Sequence, residues 1–490
     1  MQQRFLCYAL IPAASLLFCT CQPSTTEEDL AISPLAPVPT EAQLGWHQME
    51  LNAFIHFTTN TFTDKEWGYG DESPEIFNPT EFNADQWVSV LKEVGFQGVI
   101  LTCKHHDGFV LWPSEYTDHS VEQSPWRNGK GDVVGAVAEA CRKHGLKFGV
   151  YLSPWDRNRP DYGQPSYITY YRNQLEELFA NYGPVFEMWF DGANGGDGYY
   201  GGARETREID RRTYYDWPTT LDMVHELQPD PDVIFFSDAG PGVRWVGNER
   251  GIAGETNWNT ITADTLYAGM AGINDLLASG SADGESWIPA EVDVSIRPGW
   301  FYHASEDSLV KTPEQLFDIY LSSVGRGSTL LLNIPPDRRG LLHENDVAAL
   351  RGWRKLLDEA FSQNLAEGAT ATVDSYRGEN DKFSVTNLID NDFETYWATD
   401  DGITSGSIEI DLGKEETIQY LMLQEYLPLG QRVSKFSVEA WQNESWQIIA
   451  QATTIGYKRI LPVDSIKTSK IRVNIEEAQA CPVISAVKVF

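Results

Sequence analysis

Basic residues are scarce in this chain. Lys and Arg number 37 against 71 Asp and Glu, and the formal charge is −34 over 490 residues. That deficit argues against nucleic acid, or the anionic face of a membrane, as a partner, since both are held by basic patches. It favours a neutral substrate. Cysteine is equally sparse. Beyond the first 21 residues only Cys103, Cys141 and Cys481 occur, isolated and without C-x-x-C spacing. Neither a disulfide framework nor a zinc site is expected from them. No H-x-H or H-E-x-x-H pattern occurs, which weakens a metal-hydrolase reading. No G-x-G-x-x-G follows the first expected strand, which argues against a nucleotide cofactor. No apolar run is long enough for a stable bilayer anchor.

What is abundant is aromatic surface, with 16 Trp and 21 Tyr in a chain that is 42% hydrophobic. Many aromatics in an acidic chain suit carbohydrate, whose C–H faces stack on indole and phenol rings. The length allows two or three domains.

Residues 1–21 read as a targeting segment, with Arg4 ahead of the apolar run 5–18. The continuation, LLFCTCQPSTTEED, resembles a bacterial lipoprotein signal with Cys21, or less favourably Cys19, as the lipidated residue. Cleavage to a soluble periplasmic form is the alternative. Residues 22–40 read as a tether. The expectation is an exported protein, periplasmic or at the outer membrane, that touches lipid only through an anchor.

From 41 to 362, strand-like runs alternate with amphipathic helices. The expected strands are 53–57, 98–102, 147–153, 185–191, 233–237, 251–255, 290–296 and 329–334. The expected helices are 84–94, 132–144, 166–182, 219–227, 312–325 and 345–363, with Asn345 as an N-cap. Eight strands with intervening helices predict an α/β fold, a (β/α)8 TIM-like barrel. Residues 193–217, rich in Gly, Tyr and charge, are expected as a long loop over its mouth.

Residues 364–490 change character. Short Val/Ile/Thr runs alternate with polar residues and predict a C-terminal β-sandwich. NLIDNDFETYWATD followed by IEIDLG resembles the discoidin-type (coagulation factor 5/8 C) module. Trp397 is expected in its core. A structural Ca2+ is expected to be compatible with its loop carboxylates Asp390, Asp392, Asp400 and Asp401.

In such a barrel the strands' C-terminal ends form the active site. PVFEMWFDG (184–192) puts Asp191 at one such end. Trp189 lies two residues before it and therefore on the same face. A carboxylate beside an indole face suits a sugar; the competing use of Asp191 is a helix cap or an ion pair. His56 ends strand 1, His105 and His106 follow strand 2, and Tyr151 ends strand 3. Imidazoles there serve a sugar as neutral donors and acceptors. Adjacent His105 and His106 suit a single metal poorly, because neighbours face opposite ways.

Together AFIHF, EWG, KHHDGF, GVYLSPWD, EMWFDG, SDAGPGVRWVGNERG and GRGSTLLLNIPPDRRG resemble the α-L-fucosidases of glycoside hydrolase family 29. The resemblance covers nearly all of 45–360. WVGNE and the discoidin-type module are similar to the branch acting on α-1,3/1,4-linked fucose of Lewis-type glycans. The resemblance implies an exo-acting, retaining enzyme with no required cofactor and with fucosylated oligosaccharides or glycans as partners. Asp191 corresponds to the nucleophile and Glu249 to the acid/base, with Glu291 and Glu255 as alternatives. His56, His105, His106, Tyr151 and Trp189 match positions that hold fucose, and Glu66, Trp67 and Trp300 match mouth positions. Arg244 is expected as an electrostatic partner of either carboxyl. Phe57, Phe190 and Trp300 are expected to meet the fucose methyl group. Rival readings are a broad-specificity α-L-fucosidase, a metal-dependent barrel hydrolase and a non-catalytic glycan-binding lipoprotein.

Overall fold

The computed structural model describes residues 30–229, 231 and 233–490. The segment expected as a signal, and that expected as a tether up to residue 29, lie outside the described residues. Ser33 to Phe490 form one unit. Within it the stretch expected as tether is tied down: Leu35 N–H donates to Leu429 O at 3.0 Å, and Arg432 donates to Ser33 O at 2.9 Å. No helix among the described residues is long and apolar enough to cross a membrane.

Eight parallel strands close a barrel: β1 (Leu51–Ile55), β2 (Gly98–Lys104), β3 (Lys147–Leu152), β4 (Glu187–Trp189), β5 (Ile234–Ser237), β6 (Val243–Trp245), β7 (Ala290–Ser295) and β8 (Thr329–Asn333). β8 closes on β1 with Ala53 beside Leu332. Helices cover most of the outside. Ala84–Val94 begins at Asn83, whose side chain accepts from Gln86 N–H, and stops at Gly95 in the left-handed region at φ 110°. Its buried face carries Trp87, Leu91 and Val94. Each large apolar side chain removed from water in this way contributes roughly 1.5–3 kcal/mol. Val133–His144, Pro165–Tyr182, Trp217–Leu227, Pro313–Ser322 and Glu344–Phe361 repeat the pattern. The last is capped by His343 rather than Asn345.

The sixth strand departs from expectation. It is Val243–Trp245, not 251–255, and it follows β5 after only residues 238–242, with no helix between. Residues 251–255 run as irregular chain. The sequence conceals this strand because it is only 3 residues long and sits between Gly-Pro-Gly and Val-Gly-Asn.

Alternation along the strands builds two cores. Phe54, Ile100, Tyr151, Trp189, Phe236, Val243 and Leu331 point inward and plug the barrel. Ile55, Leu101, Leu152, Phe190 and Phe235 point outward and pack under the helices. The plug divides the interior. The larger cavity, about 580 Å3, opens at the strands' N-terminal ends among Trp46, Met49, Phe148 and Phe186. A smaller one opens at the C-terminal ends.

The C-terminal region is an antiparallel sheet of seven strands. Two 20-residue strands, Gly406–Glu425 and Arg459–Ala478, run through it, with register breaks near 411–416 and 418–420. Trp397, Ile408, Phe436 and Ile471 fill its core. It is fastened to the barrel by buried polar contacts. Gln431 bonds Asn257 and Asn259, Thr454 accepts from Asn257 N–H, and Lys458 pairs with Glu50. The loop carboxylates expected around Ca2+ are engaged locally: Asp390 with Asp392 N–H and Thr395, Asp400 with Gly378 N–H, Asp401 with Arg377. No group of three or more His, Cys, Asp or Glu suited to a metal occurs among the described residues.

Candidate active site

The cavity at the C-terminal ends measures about 110 Å3 and is lined by residues from six strand ends and their loops. His56, Trp67, His105, His106, Tyr151, Trp189, Asp191, Glu249 and Trp300 are all on its wall, joined by Phe54, Ala193 and Asp293.

Asp191 follows β4, and its carboxylate is held from two sides. Tyr151 O–H donates to Oδ2 at 2.9 Å, and Ala193 N–H donates to Oδ1 at 2.6 Å. The nearest imidazole does not hydrogen bond it: His106 Nε2 stands 3.7 Å from Oδ2. Burial pushes the Asp191 carboxyl above its ordinary range, and the two donors oppose that push.

The three imidazoles form one wall, His105 and His106 centred 4.1 Å apart and His56 and His105 5.6 Å apart. Burial holds His56 and His106 at a pKa of about 3, and His105 well below its normal value, so all are neutral. Their partners fix the tautomers. Ser153 O–H donates to Trp155 O, so it accepts from His106 Nδ1–H at 2.7 Å. Asn333 Nδ2 donates to Ser295 Oγ and Trp300 O, which turns Oδ1 toward His56 Nδ1–H at 2.8 Å. In both rings Nε2 is left as a lone-pair acceptor for a hydroxyl.

Glu249 lies in the loop after β6. Its surface is exposed at the mouth while its carboxyl reaches the cavity, where Trp300 Nε1–H donates to Oε2 at 3.4 Å. Partial burial raises its pKa; Trp300 opposes the rise, and the charges of Asp191 and Glu66 add to it. The alternatives lie elsewhere. Glu255 faces solvent and pairs with Arg326 at 3.5 Å. Glu291 is fully buried below the cavity, accepting from Trp189 Nε1–H at 2.9 Å.

Several expected contacts are redrawn. Arg244 points out of the barrel, because Val243 and Trp245 take the inward phase of β6. Its guanidinium donates to Leu277 O, Ile288 O, Asn257 Oδ1 and Trp258 O, and meets neither carboxyl. Phe57 packs behind β1 against Phe77 and Trp87, and Phe190 packs on Trp217. The apolar wall is instead Phe54, Trp189 and Trp300. Glu66 does not line the cavity. It grips the loop bearing Trp300, accepting from Trp300 N–H at 2.8 Å and contacting His303 Nε2 at 2.6 Å. Asp293 and Phe54 escaped the sequence reading, although period two predicts both: each lies two residues from a residue already singled out, Glu291 and His56.

The alpha-L-fucosidase family profile matches residues 35–359, and the F5/8 type C domain profile matches 369–487. Alpha-L-fucosidase 1 of Arabidopsis thaliana is 41% identical over 457 residues, covering 92% of this chain and 87% of that protein. A crystal structure of a glycoside hydrolase 29 family member from an unknown rumen bacterium is 45% identical with a TM-score of 0.83, over 93% of this chain and 78% of that one. A Ruminococcus gnavus GH29 fucosidase in complex with fucose is 34% identical with a TM-score of 0.84, over 94% and 96%. This chain belongs to the alpha-L-fucosidases of glycoside hydrolase family 29, with a C-terminal F5/8 type C domain.

Proposed function

We propose that this α-L-fucosidase is exo-acting and retaining, and that it removes terminal α-1,3/1,4-linked fucose from Lewis-type oligosaccharides and glycans. The observation that carries the reading is the shared cavity: Asp191 and Glu249 line the same small pocket, walled by three neutral imidazoles. A closed floor of Phe54 and Trp189 suits a chain end rather than an internal sugar.

Retention proceeds in two displacements. An Asp191 oxygen attacks the anomeric carbon as the bond to the leaving oxygen breaks, and the Glu249 proton passes to that oxygen. Glu249, now a carboxylate, takes a proton from water; the water oxygen bonds to the anomeric carbon, and Asp191 is released. The raised pKa of Glu249 suits the acid role. His56 and His106 accept from sugar hydroxyls through Nε2, and His105 completes that wall. Tyr151 steadies the nucleophile. Trp189 and Trp300 face the apolar side of the ring and its methyl, and Trp67, 52% exposed at the mouth, meets the remainder of the glycan. The reaction uses side chains alone, so activity should persist in EDTA; its loss would favour the metal-hydrolase reading.

Linkage is tested with a Lewis trisaccharide, a 2′-fucosylated trisaccharide and an aryl fucoside. Fucose released from the first alone supports the reading, and equal release from all three supports the broad-specificity alternative. Asp191→Gly should lower turnover by several orders of magnitude, with azide restoring part of it as the β-azide. Unaltered turnover removes Asp191 from the role of nucleophile. Export as a periplasmic or outer-membrane lipoprotein anchored at Cys21 rests on the pattern of the first 21 residues. Cys21→Ser should then free the enzyme from the membrane fraction.

A further inference from the structure

The cavity holds a third carboxyl that the two-step chemistry does not use. Asp293 sits on the inward face of β7, 3% exposed, and lines the pocket with Asp191 and Glu249. Its Oδ1 accepts from Trp245 Nε1–H at 2.8 Å. Trp245 is the last residue of β6, and the chain leaves it directly for the loop bearing Glu249. That loop has its own fastenings on either side of the acid. Val246 N–H donates to Glu291 O at 3.0 Å, and Gly247 turns at φ 84° with its carbonyl held by Asn274 at 2.7 Å. Beyond the turn, Asn248 bonds Ile252 O at 2.9 Å. The indole of Trp245 thus ties the root of this loop to the pocket wall through Asp293.

We propose that Asp293 is a positioning residue for Glu249, acting through Trp245 to fix the strand end from which the acid/base loop departs. The inference rests on Glu249 being the acid/base.

Its geometry explains the residue type. An inward Asp two residues above Glu291 reaches an indole N–H on the neighbouring strand, where Glu291 and Trp245 are paired in register. Ala or Val at 293 would leave that part-buried N–H without its acceptor and free the indole to rotate. A polar group stripped of its partner loses its compensation for desolvation, which is enough to change the preferred rotamer. A displacement of about 1 Å in a catalytic group lowers its rate contribution roughly 100-fold. Burial, and then the charges of Glu249 and Glu291, hold the Asp293 carboxyl well above the ordinary range, against the pull of the Trp245 N–H.

The test uses leaving groups. Protonation of the leaving oxygen matters for an ordinary sugar alcohol and hardly at all for dinitrophenolate. Asp293→Ala and Trp245→Phe should each cut single-turnover cleavage of an unactivated fucosyl oligosaccharide about 10- to 100-fold. The dinitrophenolate burst from dinitrophenyl fucoside should fall less than about threefold under the same general-acid argument. The double variant should be little worse than either single one. Asp293→Asn, which keeps an acceptor for the indole, should recover most of the loss. Trp245→Phe keeps an aromatic ring while deleting the N–H, so it serves if Asp293→Ala does not fold. Equal losses on both substrates, or no loss on the oligosaccharide, overturn the proposal. Glu249→Ala, measured alongside, separates two failures. If it keeps its leaving-group dependence, only the role of Asp293 is wrong; if it lacks that dependence, the proposal falls with the assignment of Glu249.

Discussion

Tyr151 donates its hydroxyl to Asp191 Oδ2 at 2.9 Å, joining the end of β3 to the end of β4 across the floor of the sugar pocket. The ring is fully buried between Phe54 and Trp189, so the hydroxyl has no freedom to aim elsewhere. The bond favours the ionised form of Asp191 against the burial that disfavours it. Tyr151→Phe removes that support and leaves the ring in place. We expect kcat/KM to fall roughly 100-fold, the scale for losing one preorganised donor to a reacting oxygen. The acid limb of the pH profile should move to higher pH, since Asp191 loses a group that lowers its pKa. A limb left in place with kcat/KM lowered would show that the hydroxyl acts on something other than the ionisation of Asp191.

The pH profile has two limbs with known signs. As the proposed nucleophile Asp191 must be ionised, and burial raises its pKa, so activity should begin to fail on acidification above the ordinary Asp range. As the proposed acid Glu249 must be protonated, and its raised pKa extends activity upward before the basic limb begins. Its neighbours allow a pair of opposed tests. Trp300→Phe deletes a donor to the carboxylate, so the basic limb should shift up. Glu66→Gln deletes a negative charge that raises Glu249, so that limb should shift down. Profiles of kcat/KM on one substrate decide both. Shifts in the same direction would count against Glu249 as the group that sets the limb.

The segment positions of seven strands and the six long helices were legible because apolar periodicity reports burial directly. What misled was phase. Phe57 and Phe190 follow His56 and Trp189 by one residue, and alternation therefore sends them behind the sheet when their neighbours face the sugar. Arg244 faces outward for a related reason. With the sixth strand placed at 251–255, nothing revealed that Val243 and Trp245 own the inward positions. The true strand is too short to carry a periodic signal; its place is fixed by pairing with β5 and β7. Asp191 and the imidazoles were legible since strand ends were found correctly. The partners that orient them, Ser153 and Asn333, were not, because hydrogen bonds across the barrel leave no local pattern.

Arg244 gives a stability prediction with little bearing on catalysis. Its guanidinium satisfies carbonyls at 277, 288 and 258 and the side chain of Asn257. Asn257 in turn accepts from and donates to the C-terminal domain and the 326–328 turn. Arg244→Met keeps the stem and strands those acceptors. We expect a loss of about 3 kcal/mol or more, from several buried charge-assisted bonds at once. Denaturant midpoints measure it. KM of the surviving folded enzyme should stay within about twofold, because the residue faces away from the sugar and no differential binding is lost. A large KM change with unaltered stability would return Arg244 to the site.

Beneath the sugar pocket lies a pair of carboxyls that should make the barrel sensitive to alkali. Glu187 accepts from Trp46 Nε1–H at 3.1 Å, and Glu291 accepts from Trp189 Nε1–H at 2.9 Å. Their other oxygens, Glu187 Oε1 and Glu291 Oε2, have no hydrogen-bond partner among the described residues, and a charge on Glu187 disfavours one on Glu291. Burial raises Glu187 to about 8 and Glu291 well above its normal value. In the unfolded chain both titrate near the ordinary Glu value of about 4.3. Between that value and about 8 the folded state therefore binds more protons than the unfolded one, so stability falls as pH rises through this window. Glu187→Gln removes one of the two buried ionisable groups and with it a charge that disfavours ionisation of Glu291. Its melting temperature relative to wild type should improve steadily from pH 5 to pH 8, as Glu187 in the folded wild type is driven toward ionisation. A difference that stays constant across that range would mean that the pair does not titrate with unfolding.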